Sequence, residues 1–170
     1  MRGGRSTRRI LRMSSKKAGS LVVFVAVGVL TVGLVVGGVQ PPKEPATINL
    51  KVEPGSVEAG GAAHVTCRIV PKDGIKVNKY PKMSLKVQAV KGLVEAAEAK
   101  VGSDDPPPMG KPEVNYYKSV DPIELDLRLE ASAPSGTHKI PAQLKYYYCV
   151  AASGFCAPFK TQVELEVTVR

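Results

Sequence analysis

Residues 122–130 read Pro-Ile-Glu-Leu-Asp-Leu-Arg-Leu-Glu, and an apolar side chain occupies every second position. Successive side chains of a β-strand point to opposite faces, whereas the apolar residues of an amphipathic helix recur about every 3.6 residues. This stretch therefore predicts a β-strand that turns one apolar face toward a core and one charged face toward solvent.

The same alternation recurs along most of the chain outward from this stretch. It predicts further strands over residues 47–53, 64–70, 83–89, 138–148 and 161–169, with Pro- and Gly-rich turns between them. Residues 93–101 contain good helix formers at 95–100, but they lack an N-cap and have strand neighbours, so we favour a strand. About seven strands without a long helix predict an all-β, immunoglobulin-like β-sandwich over residues 46–170.

The N-terminal part of the chain differs from the rest in charge. Seven of the 24 basic residues and none of the 15 acidic ones lie in residues 1–20, so the remainder is nearly balanced. No basic stripe with interleaved aromatic residues occurs there, and we therefore expect no nucleic-acid partner.

Residues 21–39 are uncharged and mostly apolar. A helix of that length would rise about 28 Å, close to the hydrocarbon thickness of a bilayer. With basic residues only on its N-terminal side, the positive-inside rule predicts a single-pass transmembrane signal anchor. Residues 1–20 would then be cytoplasmic, and a Pro-rich spacer at 40–45 would precede a periplasmic or otherwise extracytoplasmic domain at 46–170. A cleaved signal peptide is the alternative.

Three cysteines in an exported chain leave at least one without an intramolecular partner. Cys149 and Cys156 lie across a short connection between strand-like runs, where their α-carbons can come within disulfide range. So short a loop gains little stability from a bridge, and an exposed short-range disulfide is comparatively easy to reduce. Alternatively, Cys67 could bridge Cys149 as in immunoglobulin domains, or no bridge could form. We favour Cys149–Cys156, with Cys67 as a small core residue.

Two segments carry a resemblance to a known family. Residues 144–149 (Leu-Lys-Tyr-Tyr-Tyr-Cys) and 154–158 (Gly-Phe-Cys-Ala-Pro) resemble the end of the N-terminal periplasmic domain of DsbD-type thiol:disulfide interchange proteins. Residues 71–78 are similar to a turn-and-strand segment of that domain. The resemblance implies an immunoglobulin-like sandwich whose redox dithiol, here Cys149 and Cys156, exchanges electrons with extracytoplasmic thioredoxin-like or other thiol/disulfide proteins. It also implies a loop that caps the pair, for which residues 104–112 are the candidate.

The chain departs from that family in three ways. It has one more residue between the two cysteines, and Ala157 stands where an aromatic residue is frequent. It also lacks the family's membrane and thioredoxin-like domains, so another protein would have to supply electrons.

In the implied mechanism one cysteine attacks a partner disulfide as a thiolate and the other resolves the mixed disulfide. Because a free cysteine has a pKa of about 8.5, the attacking residue needs a nearby cation or backbone dipole. Lys145 and Lys160 flank the pair and could supply the cation, but we favour the interpretation that they are ordinary solvated strand-end charges. Sequence does not distinguish the attacking cysteine from the resolving one.

Other residue patterns support different interpretations only weakly. His64, His138 and Met109 show no metal-ligand spacing with the cysteines, so we expect neither a metal nor a cofactor. The tyrosines at 116–117 and 146–148 are candidates for a binding surface or for core packing. The alternative function is a non-catalytic interaction module in which the disulfide is only structural.

Overall fold

The computed structural model describes residues 41–170, and this part of the chain is built almost entirely of β-strands. A short 3-10 helix at Pro112–Asn115 is its one helical element. The all-β prediction is thus confirmed. The strands are β1 (Ala46–Glu53), β2 (Ser56–Val57), β3 (Ala62–Pro71), β4 (Ile75–Val77), β5 (Met83–Val87), β6 (Ala97–Val101), β7 (Ile123–Arg128), β8 (Gly136–Val150) and β9 (Cys156–Val169).

The strands form two sheets. A three-stranded sheet has the order β1-β3-β7, and a six-stranded sheet has the order β2-β9-β8-β5-β6, with β4 also paired to β8. All pairings are antiparallel except the short contact of β2 with β9. β8 is the central strand, because β9 runs along its whole length on one side while β5 and β4 share the other side.

One hydrophobic core lies under both sheets. Strand β3 contributes Val65 and Cys67, and β8 contributes Leu144, Tyr146 and other residues of the same parity. Each sheet thus turns its apolar face inward, and the burial of this apolar surface is the main force that holds the domain together.

The alternation of β8 fixes which side chains face the core. Ile140, Ala142, Leu144, Tyr146 and Tyr148 are all buried, as one face of the strand requires. The alternate residues of β8, which include Lys145, Tyr147 and Cys149, therefore lie on the outer face of the six-stranded sheet.

The strand predicted over residues 93–101 is only half right. β6 begins at Ala97, whereas residues 90–94 form a tight turn in which Val90 and Val94 pair with each other. Helix-forming residues nevertheless adopt a strand at 97–101, because Ala97, Ala99 and Val101 pack on the core with a period of two. Tertiary packing therefore overrides local helix propensity here.

The predictions for the N-terminal segment fall mainly on residues that the structure does not describe. The cytoplasmic tail at 1–20 and the membrane anchor at 21–39 lie outside residues 41–170. Within those residues no helix is long and apolar enough to cross a membrane. Residues 41–45, the end of the predicted spacer, precede β1 without regular structure.

Candidate functional site

The two cysteines lie at the tip of the β8–β9 hairpin. The sequence pattern predicts that β8 ends at residue 148 and that β9 begins at residue 161. In the structure both strands extend further and include the cysteines. The turn between them is closed by hydrogen bonds from the Val150 N–H to the Phe155 O (2.7 Å) and from the Gly154 N–H to the Val150 O (2.9 Å). Gly154 has φ of 69°, a left-handed conformation that favours glycine.

Cys149 and Cys156 form a disulfide, as the favoured pairing predicts. They are direct partners in the β8–β9 register, with an S–S distance of 2.02 Å and a Cα–Cα distance of 4.0 Å. Because Val150 and Phe155 form the neighbouring hydrogen-bonded pair, the cysteines occupy a non-hydrogen-bonded position, where facing side chains are closest. The bridge therefore joins two residues that the ladder already holds side by side.

The two sulfur-bearing residues differ sharply in accessibility. Cys149 is only 4% exposed, whereas Cys156 is exposed to solvent. Exchange requires in-line attack on one sulfur, so access decides which sulfur reacts. An incoming thiolate can reach the Cys156 Sγ, and Cys149 is then the group that leaves.

Strand β4 covers Cys149 from the side opposite β9. The Asn78 Oδ1, just beyond β4, lies 3.5 Å from the Cys149 Sγ, and Lys76 is the register partner of Cys149. Asn78 is itself held by a backbone bridge to Tyr116. Sequence reasoning missed both Lys76 and Asn78, because only the pairing of β4 with β8 brings them to the disulfide.

Three lysine side chains near this end of the sheet place their ammonium groups over tyrosine rings. The Lys76 Nζ lies 5.0 Å from the centre of the Tyr116 ring, the Lys79 Nζ 5.9 Å from that of Tyr117, and the Lys145 Nζ 5.2 Å from that of Tyr147. Such geometry is favourable for a cation over an aromatic face.

The two candidate tyrosine groups have different roles. Tyr116 and Tyr117 line a cavity of about 790 Å³ together with Lys76 and Lys79. Burial, followed by the charge of Asp121, raises the pKa of Tyr117. Tyr146 and Tyr148 instead pack in the core, whereas Tyr147 lies on the outer face.

The rival bridge between Cys67 and Cys149 is excluded by the phase of β8. Cys67 is a fully buried free thiol, and its burial raises its pKa to about 11. Cys149 follows the inward-facing Tyr148 and so points to the outer face. The Tyr-x-Cys pattern of 147–149 therefore lies on the outside of the sheet, away from Cys67.

The predicted flanking lysines do not contact the disulfide. Lys145 and Lys160 are register partners of each other, four residues along the strands from the cysteines. At about 3.3 Å per residue that is roughly 13 Å. Lys76 is the lysine that the register places beside Cys149.

The candidate cap loop lies beside the 3-10 helix. Residues Pro106–Pro108 share a shallow cavity with Lys79 and Asn115, and Asp104 forms an ion pair of 2.6 Å with Lys82. Asn78, whose Oδ1 lies 3.5 Å from the Cys149 Sγ, is not part of this loop. Any capping by residues 104–112 thus remains a prediction.

The histidines lie on different sheets and have separate partners. His64 on β3 contacts the Asp126 carboxylate at 2.9 Å, and His138 on β8 contacts the Pro134 O at 2.8 Å. Met109 is fully exposed in the loop. Within residues 41–170, no group of three or more His, Cys, Asp or Glu side chains is arranged to hold a metal ion.

Comparison with known proteins gave no further constraint. A scan against protein-family models found no match, and a search of curated proteins found no significant relative.

Proposed function

We propose that this protein is a membrane-anchored, extracytoplasmic thiol–disulfide exchange domain that passes electrons to or from partner proteins through Cys149 and Cys156. The observation that supports this most directly is the unequal exposure of the bridged pair, with Cys156 on the surface and Cys149 4% exposed. A dithiol of this kind has one sulfur for the partner and one for resolution.

The exchange reaction balances without a cofactor. In the reduced protein the Cys156 thiolate attacks one sulfur of a partner disulfide, and the other partner sulfur leaves as a thiolate. The Cys149 thiolate then attacks the Cys156 Sγ and releases the first partner sulfur. Two electrons pass to the partner, and a dithiol protein restores the domain by the reverse sequence.

The resemblance to DsbD-type proteins supports the proposed fold, location and partners. The cysteine segment resembles that of the N-terminal domain of DsbD-type proteins, and two sheets around one core are compatible with an immunoglobulin-like sandwich. The apolar stretch at 21–39 supports a single-pass anchor with the domain outside the cytoplasm. Partners of this kind would be thioredoxin-like or other thiol/disulfide proteins.

One feature favours a second candidate, a non-catalytic interaction module. The bridge sits at the turn end of a long hairpin, where it would limit separation of the two strands. A structural clip should resist reduction, whereas an exchange dithiol should equilibrate with glutathione or thioredoxin-type couples.

A trapping experiment distinguishes the two functions. The Cys149→Ser full chain retains Cys156 without a resolving thiol, so we expect it to accumulate mixed disulfides with extracytoplasmic proteins. The matched Cys156→Ser chain retains only the two buried cysteines, Cys67 and Cys149, and should accumulate few. A disulfide that stays oxidised in reducing glutathione buffer, together with no trapped species in either variant, would falsify the exchange function.

A further inference from the structure

A row of lysines crosses the outer face of the six-stranded sheet, roughly 13 Å along the strands from the disulfide. In the β8–β9 register Lys145 lies opposite Lys160, and in the β5–β8 register Ser84 lies opposite Lys145. Lys100 lies opposite Ser84 on β6. The row thus runs across four neighbouring strands with only one uncharged member.

Like charges at directly opposed positions of an antiparallel pair destabilise a sheet. Neither Lys145 nor Lys160 forms an ion pair with a carboxylate within residues 41–170. The Lys145 Nζ instead lies over the Tyr147 ring. The fold therefore keeps two facing positive charges without an internal anion, a cost that binding an anion would offset.

These lysines line a shallow cavity of about 430 Å³, which we call the lysine trough. Five of its lining residues are lysines, and Glu98 is its only acidic residue. Glu98 is paired with Lys100 at 3.3 Å and Lys82 with Asp104 at 2.6 Å, so three of the five lysines have no ion pair within residues 41–170. The lysines of the trough are Lys82, Lys86, Lys100, Lys145 and Lys160.

The lysine trough and the disulfide occupy the same face of β8 and β9. Tyr147 and Pro158 form the pair between them, so the row at Lys145 begins four residues from the cysteines. That distance is roughly 13 Å, the length of about four residues of extended chain. A polypeptide with its sulfur at Cys156 could therefore place side chains in the trough.

We propose that the lysine trough receives an acidic segment of the exchange partner, whose carboxylates lie about four extended residues from its reactive cysteine. This inference rests on the proposed function and adds the chemical class of the partner. The trough would act mainly on the rate of encounter and the choice of partner, because complementary charge contributes chiefly to association rate and specificity.

A protein segment fits the trough better than other polyanions do. The five lysines of the trough are grouped in one concavity roughly 13 Å along the strands from the reactive sulfur, and Glu98 and two glutamines lie on the outer face around them. A membrane surface or a nucleic acid would be matched by a longer, uninterrupted basic surface. A partner protein that reacts at the Cys156 Sγ would have its acidic segment held at a fixed distance from that sulfur, at the lysine trough. A lipid or nucleic acid does not react at Cys156 and would gain nothing from that distance.

The test uses the reduced full chain and three synthetic peptides of equal length, each joined through its cysteine to thionitrobenzoate. The first has three glutamates centred four residues from the cysteine, the second has them about twelve residues away, and the third has lysines at the near position. The Cys156 thiolate attacks the peptide sulfur and releases coloured thionitrobenzoate; Cys149 then displaces the peptide thiolate and restores the protein disulfide. Absorbance gives the rate.

We expect the near-glutamate peptide to react on the order of ten times faster than the lysine peptide at low salt. The preference should fall as salt rises, because exposed charges are screened. Lys145→Gln/Lys160→Gln should remove most of it, while Lys51→Gln/Lys139→Gln, which removes the same charge elsewhere, should retain it. The Lys51→Gln/Lys139→Gln control should reduce neutral hydroxyethyl disulfide as fast as the parent.

Three outcomes overturn the proposal. Equal rates for near and distant glutamates, or a preference that survives loss of Lys145 and Lys160, show that the trough does not read the partner. Anionic phospholipid vesicles could instead protect Cys156 of the parent from the neutral disulfide. If Lys145→Gln/Lys160→Gln abolishes that protection but keeps the preference for the near-glutamate peptide, the trough binds lipid. Absence of reaction with every disulfide, the neutral one included, removes the proposed function and this inference together.

Discussion

The Asn78 Oδ1 lies 3.5 Å from the Cys149 Sγ, so the buried sulfur of the disulfide has one polar neighbour. When the bridge is reduced, the Cys149 thiol can donate a hydrogen bond to this oxygen, whereas the disulfide has no proton to donate. The contact therefore stabilises the dithiol relative to the disulfide. Because Asn78 follows β4, the edge strand paired to β8, the fold itself sets this distance.

Replacing Asn78 should make the pair harder to reduce. A net hydrogen-bond contribution of about 0.5–1.5 kcal/mol corresponds to roughly 10–30 mV for a two-electron couple. We expect Asn78→Ala to lower the reduction potential by about that amount. Equilibration with glutathione buffers measures the shift. Asn49→Ala, on β1 of the other sheet, is the matched control and should leave the potential unchanged; a rise in potential for Asn78→Ala would contradict the contact.

The three thiols of the reduced protein should react with iodoacetamide in the order Cys156, Cys149, Cys67. Cys156 is exposed, Cys149 is 4% exposed, and Cys67 is fully buried with its pKa raised from 9.0 to about 11. That rise in pKa alone lowers the fraction of Cys67 present as the reactive thiolate about a hundredfold. Mass mapping over time gives the order.

Unfolded protein provides the control for this labelling experiment. In concentrated guanidinium chloride the three cysteines should react at similar rates, because access and burial no longer differ. If Cys149 reacted before Cys156 in the folded protein, the assignment of Cys156 as the partner-facing sulfur would be wrong.

Much of the fold could be predicted because its strands are patterned locally. The alternation at 122–130 and 161–169 needs no knowledge of neighbouring strands, and the structure has strands at both places. The boundary of β9 could not be predicted in the same way. Pro158 discourages a strand assignment, yet β9 is an edge at this point, where a missing N–H leaves no ladder bond unmade.

The candidate site could be predicted from the sequence only in part. The Cys149–Cys156 pairing follows from proximity in sequence, but the burial of Cys149 depends on β4, which pairs with β8 from 71 residues away. The sequence identifies residues 71–78 only as a turn-and-strand segment, so nothing in it places Lys76 or Asn78 at the disulfide. The opposition of Lys145 and Lys160 could have been read from hairpin register once both strands were extended to the cysteines.

Removing the Tyr146 hydroxyl should stabilise the domain. Tyr146 is fully buried, its hydroxyl makes no hydrogen bond within residues 41–170, and burial is the main cause of its raised pKa. An unsatisfied buried polar group costs about 1–3 kcal/mol. We expect Tyr146→Phe to raise the free energy of unfolding by about 1 kcal/mol in urea denaturation.

Tyr148→Phe is the matched control for this substitution. Tyr148 lies on the same face of β8, but its hydroxyl is not a fully buried oxygen without a hydrogen-bond partner. This change should bring no stabilisation. A loss of stability in Tyr146→Phe would instead show that the hydroxyl is hydrogen-bonded in solution.

The His64–Asp126 pair should make stability depend on pH. The hydrogen bond to Asp126 is the main cause of the raised pKa of His64, whose unperturbed value is 6.5, and the charges of Asp126, Glu124 and Glu53 raise it further. A group with a raised folded-state pKa contributes stability that is complete below its unfolded pKa. That contribution disappears as the pH rises through the folded pKa.

We therefore expect Asp126→Asn to lower the His64 pKa toward 6.5, as measured by the NMR titration of its ring proton. The parent should be more stable than the variant near pH 6, and the difference should shrink toward pH 8 as His64 loses its proton. The effect should be small, because the Asp126 side chain is 81% exposed and the pair is screened by solvent. Asp121→Asn removes the same charge beside Tyr117 and should leave the His64 titration unchanged. A stability difference that grew with pH would contradict the assigned pairing.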